Sequence, residues 1–115
     1  MNTSLPIQPI APDVCVAPQM LPEAMAEVAR AGFRSVVNNR PDFEEGAAQP
    51  TSALIEAAAT AAGLEYRHLP VSPAHQTAEE AAAMAGLLKE LPRPLLMFCR
   101  SGGRSTRLYR MAIEA

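Results

Sequence analysis

The chain has 115 residues, of which 49% are hydrophobic and 19% are charged, and its formal net charge at pH 7 is −2. This length and composition predict one globular domain with a single hydrophobic core. A slightly acidic chain has no overall positive field to attract nucleic acid or a membrane surface, so we expect neither as a partner. Two cysteines do not make a disulfide framework, and the sequence has no signal-peptide pattern or apolar run of membrane-spanning length, which favours a cytoplasmic location.

The first eleven residues are predicted to form a separate N-terminal segment, and the domain itself is predicted to span residues 12–115. Prolines at positions 6 and 9 disfavour a helix in the segment. We therefore expect an extended surface chain or an edge strand, since proline is tolerated at the edge of a sheet.

The rest of the chain alternates between apolar or β-branched runs and amphipathic stretches. The predicted strands cover residues 13–18, 33–39, 64–71 and 95–98. The predicted helices cover residues 21–32, Thr51 or Ser52 to Gly63, Thr77 to about residue 91, and the end of the chain from about Ser105. Four strand–helix units in succession predict right-handed crossovers and a mostly parallel sheet of four or five strands. The fold class is thus a single-domain three-layer α/β sandwich with helices on both faces of the sheet.

One short stretch, MFCRSGGRST at residues 97–106, carries the strongest chemical signal. Cys99 follows a buried strand, and ligands of open α/β sheets bind beyond the carboxyl ends of the strands. Gly102 and Gly103 allow the backbone to turn its N–H groups inward, and a helix N-terminus follows them. Arg104 offers a bidentate fork to an oxyanion. We therefore predict a low-pKa Cys99 thiolate in an anion-binding loop, rather than a buried core thiol beside a glycine turn.

Ser101 is predicted to contribute to the anion-binding loop, and two other residues there have two interpretations each. Arg100 either binds an anionic substrate or is a solvated charge. Ser105 either caps the last helix or donates a hydrogen bond to the thiolate. The phosphate-binding patterns G-x-G-x-x-G and G-x-x-x-x-G-K-[ST] are both absent from the sequence.

Accessory residues are expected on the same rim of the sheet. Arg40 and Asp42 follow the second predicted strand, where they either order the loop or contact substrate. His75 lies in a proline-flanked loop and is the better placed of the two histidines for a role in the site. The histidines and cysteines lack the spacing of metal ligands, so we expect no metal site and no cofactor.

Three blocks of the sequence resemble known families. The block CRSGGRS resembles the active-site loop of single-domain rhodaneses, which are sulfurtransferases. Together with GFRSVVNNRPDFEEGAAQP and GLEYRHLPVS, it is similar to the phosphatase-like domain of β-lactamase hydrolase-like proteins, over roughly residues 12–113. This resemblance implies a fold like that of dual-specificity protein tyrosine phosphatases. It also implies that Cys99 is the nucleophile, that residues 100–104 form the anion-binding loop, and that Arg104 is its guanidinium clamp.

The family includes proteins described as phosphatases and others that act as sulfurtransferases beside a persulfide dioxygenase. Two departures from the phosphatase pattern favour sulfur transfer here. Four residues separate Cys99 from Arg104, where tyrosine phosphatases have five, and LPVSPAH has no acid where their leaving-group acid stands. We therefore predict a sulfurtransferase that carries sulfane sulfur as a Cys99 persulfide. Its partners would be a small anionic donor (thiosulfate or a low-molecular-weight persulfide), a thiol acceptor and a persulfide dioxygenase.

Two alternatives stay open. The first is a phosphatase that acts through a Cys99 phosphocysteine, and the second is a non-catalytic anion-binding module.

Overall fold

The computed structural model describes residues 3–114 of the chain. Within those residues, strands and helices follow one another with these bounds: β1 (Gln8–Ala11), β2 (Val14–Ala17), α1 (Met25–Arg30), β3 (Ser35–Asn38), α2 (Ser52–Ala61), β4 (Glu65–His68), α3 (Ala78–Glu90), β5 (Leu95–Phe98) and α4 (Gly103–Glu114). Short 3-10 turns at Pro22–Ala24 and Gly46–Ala48 precede α1 and α2. From β2 onward a helix follows every strand, which confirms the predicted alternation.

The strands form a 5-stranded sheet in the order β1-β2-β5-β3-β4. Strands β2, β5, β3 and β4 are parallel, and β1 pairs with β2 antiparallel at the edge. The central place of β5 follows from its sequence, because all four of its residues are apolar and fully buried. The predicted mostly parallel sheet is confirmed. Residues 8–11 of the N-terminal segment supply the edge strand, so the boundary drawn at residue 12 falls between two paired strands.

Helices cover both faces of the sheet, and alternate side chains of β5 identify the two faces. Phe98 belongs to an apolar cluster that includes Ile55 of α2 and buried side chains of α1. Met97 points to the opposite face and belongs to a second cluster with Met84 of α3 and Leu108 of α4. This is the predicted three-layer sandwich. No helix in residues 3–114 combines the length and the apolar character needed to cross a membrane.

The N-terminal ends of α2 and α3 agree with the capping signals in the sequence. The Glu80 N–H donates to Thr77 Oγ1 at 3.0 Å, and the Thr77 N–H donates to Glu80 Oε1 at 2.8 Å, which completes a capping box. Thr51 caps α2 by accepting the Leu54 N–H. The segment over residues 21–32 differs from its prediction. It is a 3-10 turn followed by the short helix α1, since Leu21 supplies no side-chain cap and Gly32 ends the helix with a φ of +106°.

The last helix also differs from its prediction, because it begins at Gly103 rather than near Ser105. Gly102 has a φ of +96°, and its carbonyl accepts the Thr106 N–H at 3.0 Å, which closes the first helical turn. The earlier start places Arg104 inside the first turn of α4.

The buried position of Leu96 in the central strand gives a test of this packing. Leu96→Ala is expected to lower the free energy of unfolding by about 2–5 kcal/mol, because the lost side chain leaves a cavity between the sheet and its helices. Leu54→Ala is the matched control, since Leu54 is 59% exposed; its effect should stay within about 0.5 kcal/mol. Urea denaturation measures both, and equal effects would contradict the packing described here.

Candidate active site

The loop that carries Cys99 begins where the central strand β5 ends. The Cys99 N–H lies 3.4 Å from the Ala17 carbonyl, which extends the pairing of β5 with β2 by one residue. The loop closes at Gly102, whose left-handed conformation favours glycine. A Cβ at this position would meet Ala17 at ordinary contact distance, so conformation rather than space requires the glycine. The loop therefore lies at the carboxyl edge of the sheet, as predicted.

Several N–H groups face the Cys99 sulfur, although the residue is only 1% exposed. The Gly102 N–H donates to Cys99 Sγ at 3.0 Å. Burial raises the pKa of the Cys99 thiol, but hydrogen bonds from Ser105 and from the N–H groups of Gly102 and Ser101 outweigh burial and hold the pKa below its ordinary value. The thiolate is the nucleophilic form of cysteine, so the loop favours a reactive sulfur.

The Ser105 hydroxyl has one hydrogen to donate and two acceptors near it, Asn39 Oδ1 and the Cys99 sulfur. Its Oγ donates to Asn39 Oδ1 at 2.8 Å. The Asn39 amide is oriented by its own bond to the Leu69 carbonyl, since Nδ2 donates there at 3.0 Å. The hydroxyl can therefore turn to the Cys99 sulfur only by giving up Asn39. The backbone N–H groups are the donors whose direction toward the sulfur the loop itself fixes.

An open cavity of about 380 Å³ lies at Cys99. Four arginines and two glutamates supply the charge of its lining, which consists of Arg40, Glu44, Glu45, Pro73, Cys99, Arg100, Ser101, Gly103, Arg104 and Arg107. The arginines outnumber the carboxylates, so the cavity remains positive even after the Cys99 thiolate is counted. A positive cavity of this kind attracts small anions.

Arg104 is 5% exposed, and its partners occupy one edge of the guanidinium group. Its Nη1 donates to Glu44 Oε2 at 3.0 Å and to the Val71 carbonyl at 3.1 Å, and its Nη2 donates to Glu44 Oε1 at 3.2 Å. Its Nε is buried and has no acceptor in the described structure. The Nε–H and the remaining Nη2 hydrogen form the fork on the other edge, which is the geometry that binds two oxygens of one oxyanion.

Glu44 bridges two buried arginines. Besides its two bonds to Arg104, its Oε1 accepts from Arg40 Nε at 2.8 Å, and Arg40 is 3% exposed. Partial burial raises the pKa of the Glu44 carboxyl, but hydrogen bonds from Arg104 and Arg40 outweigh it, so the pKa lies below its ordinary value. Glu44 is therefore ionised at neutral pH and is a poor proton donor.

Glu45 extends this pairing to the rim of the cavity. Its Oε1 lies 3.0 Å from Arg100 Nε and 3.1 Å from Arg40 Nη2, and both contacts are ion pairs without hydrogen-bond geometry. Arg40 Nη1 donates instead to Gln19 Oε1 at 3.0 Å. The loop after β3 thus places carboxylates against three of the four arginines in the cavity.

The structure brings most of the predicted residues together. Those that line the cavity are Arg40, Cys99, Arg100, Ser101, Gly103 and Arg104, and those that bond to the sulfur include Gly102 and Ser105. Asp42 and His75 lie outside the lining. Asp42 Oδ1 accepts the Ser52 N–H at 2.7 Å and so caps α2, and His75 is exposed in the segment before α3.

Three charged residues of the cavity were missed by the sequence analysis. Glu44 and Glu45 lie in an irregular loop, where no periodicity indicates the direction of a side chain. Arg107 lies within the last predicted helix and was not singled out there. Its spacing of three residues from Arg104 could have revealed it, since such residues are neighbours on a helix.

The second thiol, Cys15, is in a different environment. It is buried in the apolar cluster on the α1 and α2 face, and burial raises the pKa of its thiol. Both cysteines are free. Within residues 3–114, no group of three or more His, Cys, Asp or Glu side chains is arranged to hold a metal ion.

Comparison with known proteins gives consistent matches. The family model described as the phosphatase-like domain of β-lactamase hydrolase-like protein matches residues 7–114. A β-lactamase hydrolase-like protein of Agrobacterium fabrum is 37% identical over 78 residues, which are 68% of this chain and 18% of that protein. The chain therefore spans less than a fifth of the length of this curated relative.

Solved structures show the same fold. A candidate phosphatase from Neisseria meningitidis superposes with a TM-score of 0.85 at 26% identity, covering 97% of this chain and 80% of that one. TpbA of P. aeruginosa, crystallised in complex with pTyr, superposes with a TM-score of 0.66 at 17% identity, covering 99% of this chain and 67% of that one. These neighbours confirm an architecture of the tyrosine and dual-specificity phosphatase type.

The reactivity of Cys99 toward iodoacetamide tests the hydrogen bonds at its sulfur. In a Cys15→Ala background, the pH midpoint of alkylation is expected below the ordinary thiol pKa of 9.0, because the loop stabilises the thiolate. Ser105→Ala removes the hydroxyl that can turn from Asn39 to the thiolate and should move the midpoint upward. Thr106→Ala should not, since the Thr106 hydroxyl bonds to the Gly102 carbonyl. A parent midpoint at or above 9.0 would contradict the assignment.

The bridging role of Glu44 predicts a large effect on stability. Glu44→Gln leaves the buried Arg104 guanidinium without an opposing charge and leaves Arg40 only the half-exposed Glu45 carboxylate, so it should lower the free energy of unfolding at pH 7 by about 3 kcal/mol. The control is Glu90→Gln, because Glu90 pairs with Arg67 at an exposed site, and this change should have an effect of at most about 1 kcal/mol.

The sign of the pH dependence follows from the lowered pKa of Glu44. Its stabilising contribution is present above the ordinary carboxyl pKa of about 4.5 and is lost as the pH falls through the lower folded-state value. The difference between the parent and Glu44→Gln should therefore shrink in acid. Urea denaturation between pH 7 and pH 3 measures it, and a difference that is independent of pH would argue against the bridge.

Proposed function

The chain belongs to the family of phosphatase-like domains of β-lactamase hydrolase-like proteins, and we propose that it hydrolyses a phosphate monoester through a Cys99 phosphocysteine. The observation that carries this proposal is the unpaired Nε of Arg104, a residue that lines the cavity beside a thiol whose pKa is lowered. A buried N–H without an acceptor costs about 1–3 kcal/mol, and a phosphoryl oxygen beside it would recover that energy.

The first chemical step joins the sulfur to phosphorus. The Cys99 thiolate attacks the phosphoryl group, the S–P bond forms, and the ester P–O bond breaks, so that the alcohol leaves with its bonding electron pair and gains a proton. The fork of Arg104 holds two of the equatorial oxygens, and the loop N–H groups supply further donors. Water then attacks the phosphocysteine, the S–P bond breaks, and inorganic phosphate leaves the regenerated thiolate.

The protonation of the leaving group limits the substrates that we expect. Glu44 is ionised and held by two arginines, so it is badly suited to donate a proton. Glu45 is 49% exposed and contacts Arg40 and Arg100 at the rim. General acid catalysis is typically worth 10²–10⁴-fold, and a site without it favours leaving groups that need no proton. Aryl phosphates depend less on this proton than alkyl phosphates do, because a phenolate is a better leaving group than an alkoxide, and pTyr in the TpbA complex is an aryl phosphate.

Sulfur transfer is the second candidate, and the same lack of an unpaired acid in the cavity favours it. The thiolate would attack the outer sulfur of thiosulfate, the donor S–S bond would break, and sulfite would leave a Cys99 persulfide. An acceptor thiolate would then take that sulfur and release the Cys99 thiolate. A low-molecular-weight persulfide could replace thiosulfate as donor, and a persulfide dioxygenase would be a fitting consumer of the product.

The experiment compares the two reactions on one protein. Phosphate release is measured with p-nitrophenyl phosphate and with pTyr, and sulfite release is measured with thiosulfate and glutathione. Cys99→Ala should reduce phosphate release to background, and Cys15→Ala, which changes the thiol outside the cavity, should not. Arg104→Ala should lower kcat/KM by about 10²–10³-fold, as the loss of an oxyanion donor does.

Each outcome separates the candidates. Sulfite release that depends on Cys99, with no phosphate release, would replace the phosphatase proposal by sulfur transfer. A parent protein that catalyses neither reaction but binds inorganic phosphate would be a non-catalytic anion-binding module. Phosphate release that survives Cys99→Ala would contradict the phosphocysteine.

A further inference from the structure

Arg107 is held over the catalytic loop by neutral acceptors. Its Nε donates to Gln76 Oε1 at 3.2 Å, and its Nη2 donates to the Pro73 carbonyl at 3.1 Å. Gln76 is itself buried, so it is a firm support for an exposed side chain. A Cβ built on Gly103 would lie 3.5 Å from Arg107 Nη1, which places that nitrogen directly over the first residue of α4.

Arg107 differs from the other cavity arginines in the pairing of its charge. Arg40, Arg100 and Arg104 each lie within 4.0 Å of a Glu44 or Glu45 carboxylate oxygen. In residues 3–114, no carboxylate lies that close to Arg107. Its positive charge is therefore not neutralised by a carboxylate of the cavity.

The hydrogens of Arg107 that remain unused can reach a ligand. The bonds to Gln76 and Pro73 use the Nε hydrogen and one Nη2 hydrogen, so both Nη1 hydrogens and the second Nη2 hydrogen are left. The cavity, at about 380 Å³, is in the size range of pockets that bind small organic molecules rather than a single ion. A ligand whose phosphate sits against Cys99 and Arg104 therefore has room to extend toward Arg107.

We propose that Arg107 binds a second oxyanion of the substrate, separate from the phosphate that Cys99 attacks. The substrate class is then a phosphate monoester that carries an additional carboxylate or phosphate group. This inference rests on the proposed phosphatase function, because it takes the first anion to be the one held by Arg104. Arg100 is a weaker candidate for the second anion, since Glu45 already pairs with it and its side chain is 70% exposed.

Binding measurements test the subsite without requiring turnover. The ligands are carboxyphenylphosphonates and the corresponding carbamoylphenylphosphonates, in which a neutral amide of similar shape replaces the carboxylate. Both the meta and the para isomers are used, and isothermal titration calorimetry on Cys99→Ser protein gives their dissociation constants. We expect the carboxylate ligand of at least one isomer to bind about five- to tenfold more tightly than its amide, and added salt to reduce that preference.

Substitutions on α4 assign the preference to one residue. Arg107→Gln removes the charge while keeping N–H donors, and the ratio of the two dissociation constants should fall to about one. The control is Arg110→Gln, one turn further along the same helix and outside the cavity lining, which should leave the ratio as it is in the parent. Thermal unfolding of both variants checks that the fold is intact.

The outcomes distinguish this inference from the proposed function. Equal binding of carboxylate and amide by the parent, or a preference that survives Arg107→Gln, overturns the subsite and leaves the phosphatase proposal standing. A preference that depends on Arg107 in a protein without phosphatase activity keeps the second-anion subsite, but it overturns the proposed function and, with it, the phosphate-monoester substrate. Failure to bind any of the phosphonates overturns both.

Discussion

The geometry of the site depends on one carboxylate, because Glu44 is shared by two arginines that are almost fully buried. Arg40 comes from the end of β3 and Arg104 from the first turn of α4, so their common partner ties the loop after β3 to the loop that carries Cys99. A guanidinium group cannot lose its charge by deprotonation at neutral pH, and burying it without a partner is expensive. The loop after β3 must therefore keep Glu44 in place whenever the two arginines are buried.

This pairing also divides the donors of Arg104 between structure and chemistry. Glu44 and the Val71 carbonyl bind one side of the guanidinium group and orient it, whereas the buried Nε on the other side has no acceptor within residues 3–114. A comparable division holds at the sulfur. Backbone N–H groups of the loop face Cys99, while the Ser105 hydroxyl is engaged by Asn39, which follows β3. In both cases a residue of the segment after β3 supports a group of the segment after β5, and these two strands are neighbours in the sheet.

The two cysteines show how strongly local surroundings control thiol chemistry. Cys15 and Cys99 are both buried and free, yet burial alone raises the pKa of the first, whereas hydrogen bonds outweigh burial at the second. The difference is one of position along the strands. Cys15 lies within β2, where backbone N–H groups are used by the sheet, and Cys99 lies just past the end of β5, where the loop and the helix start leave N–H groups for the sulfur.

The sequence by itself determined the strand–helix alternation, the central place of the LLMF strand and the loop around Cys99. Periodicity, capping residues and glycine positions are local signals, and the structure follows them except at the starts of α1 and α4 and at the end of β4, which stops at His68 rather than at residue 71. Only the tertiary structure decided how the charges of the cavity are shared. Glu44 reaches Arg104 across 60 positions of the chain and Arg107 reaches Gln76 across 31, and a local pattern carries no information about contacts at such separations. The sequence could therefore identify the nucleophile and its arginine, while packing of the loop after β3 and the segment before α3 decided which arginines are neutralised and which remains available to a ligand.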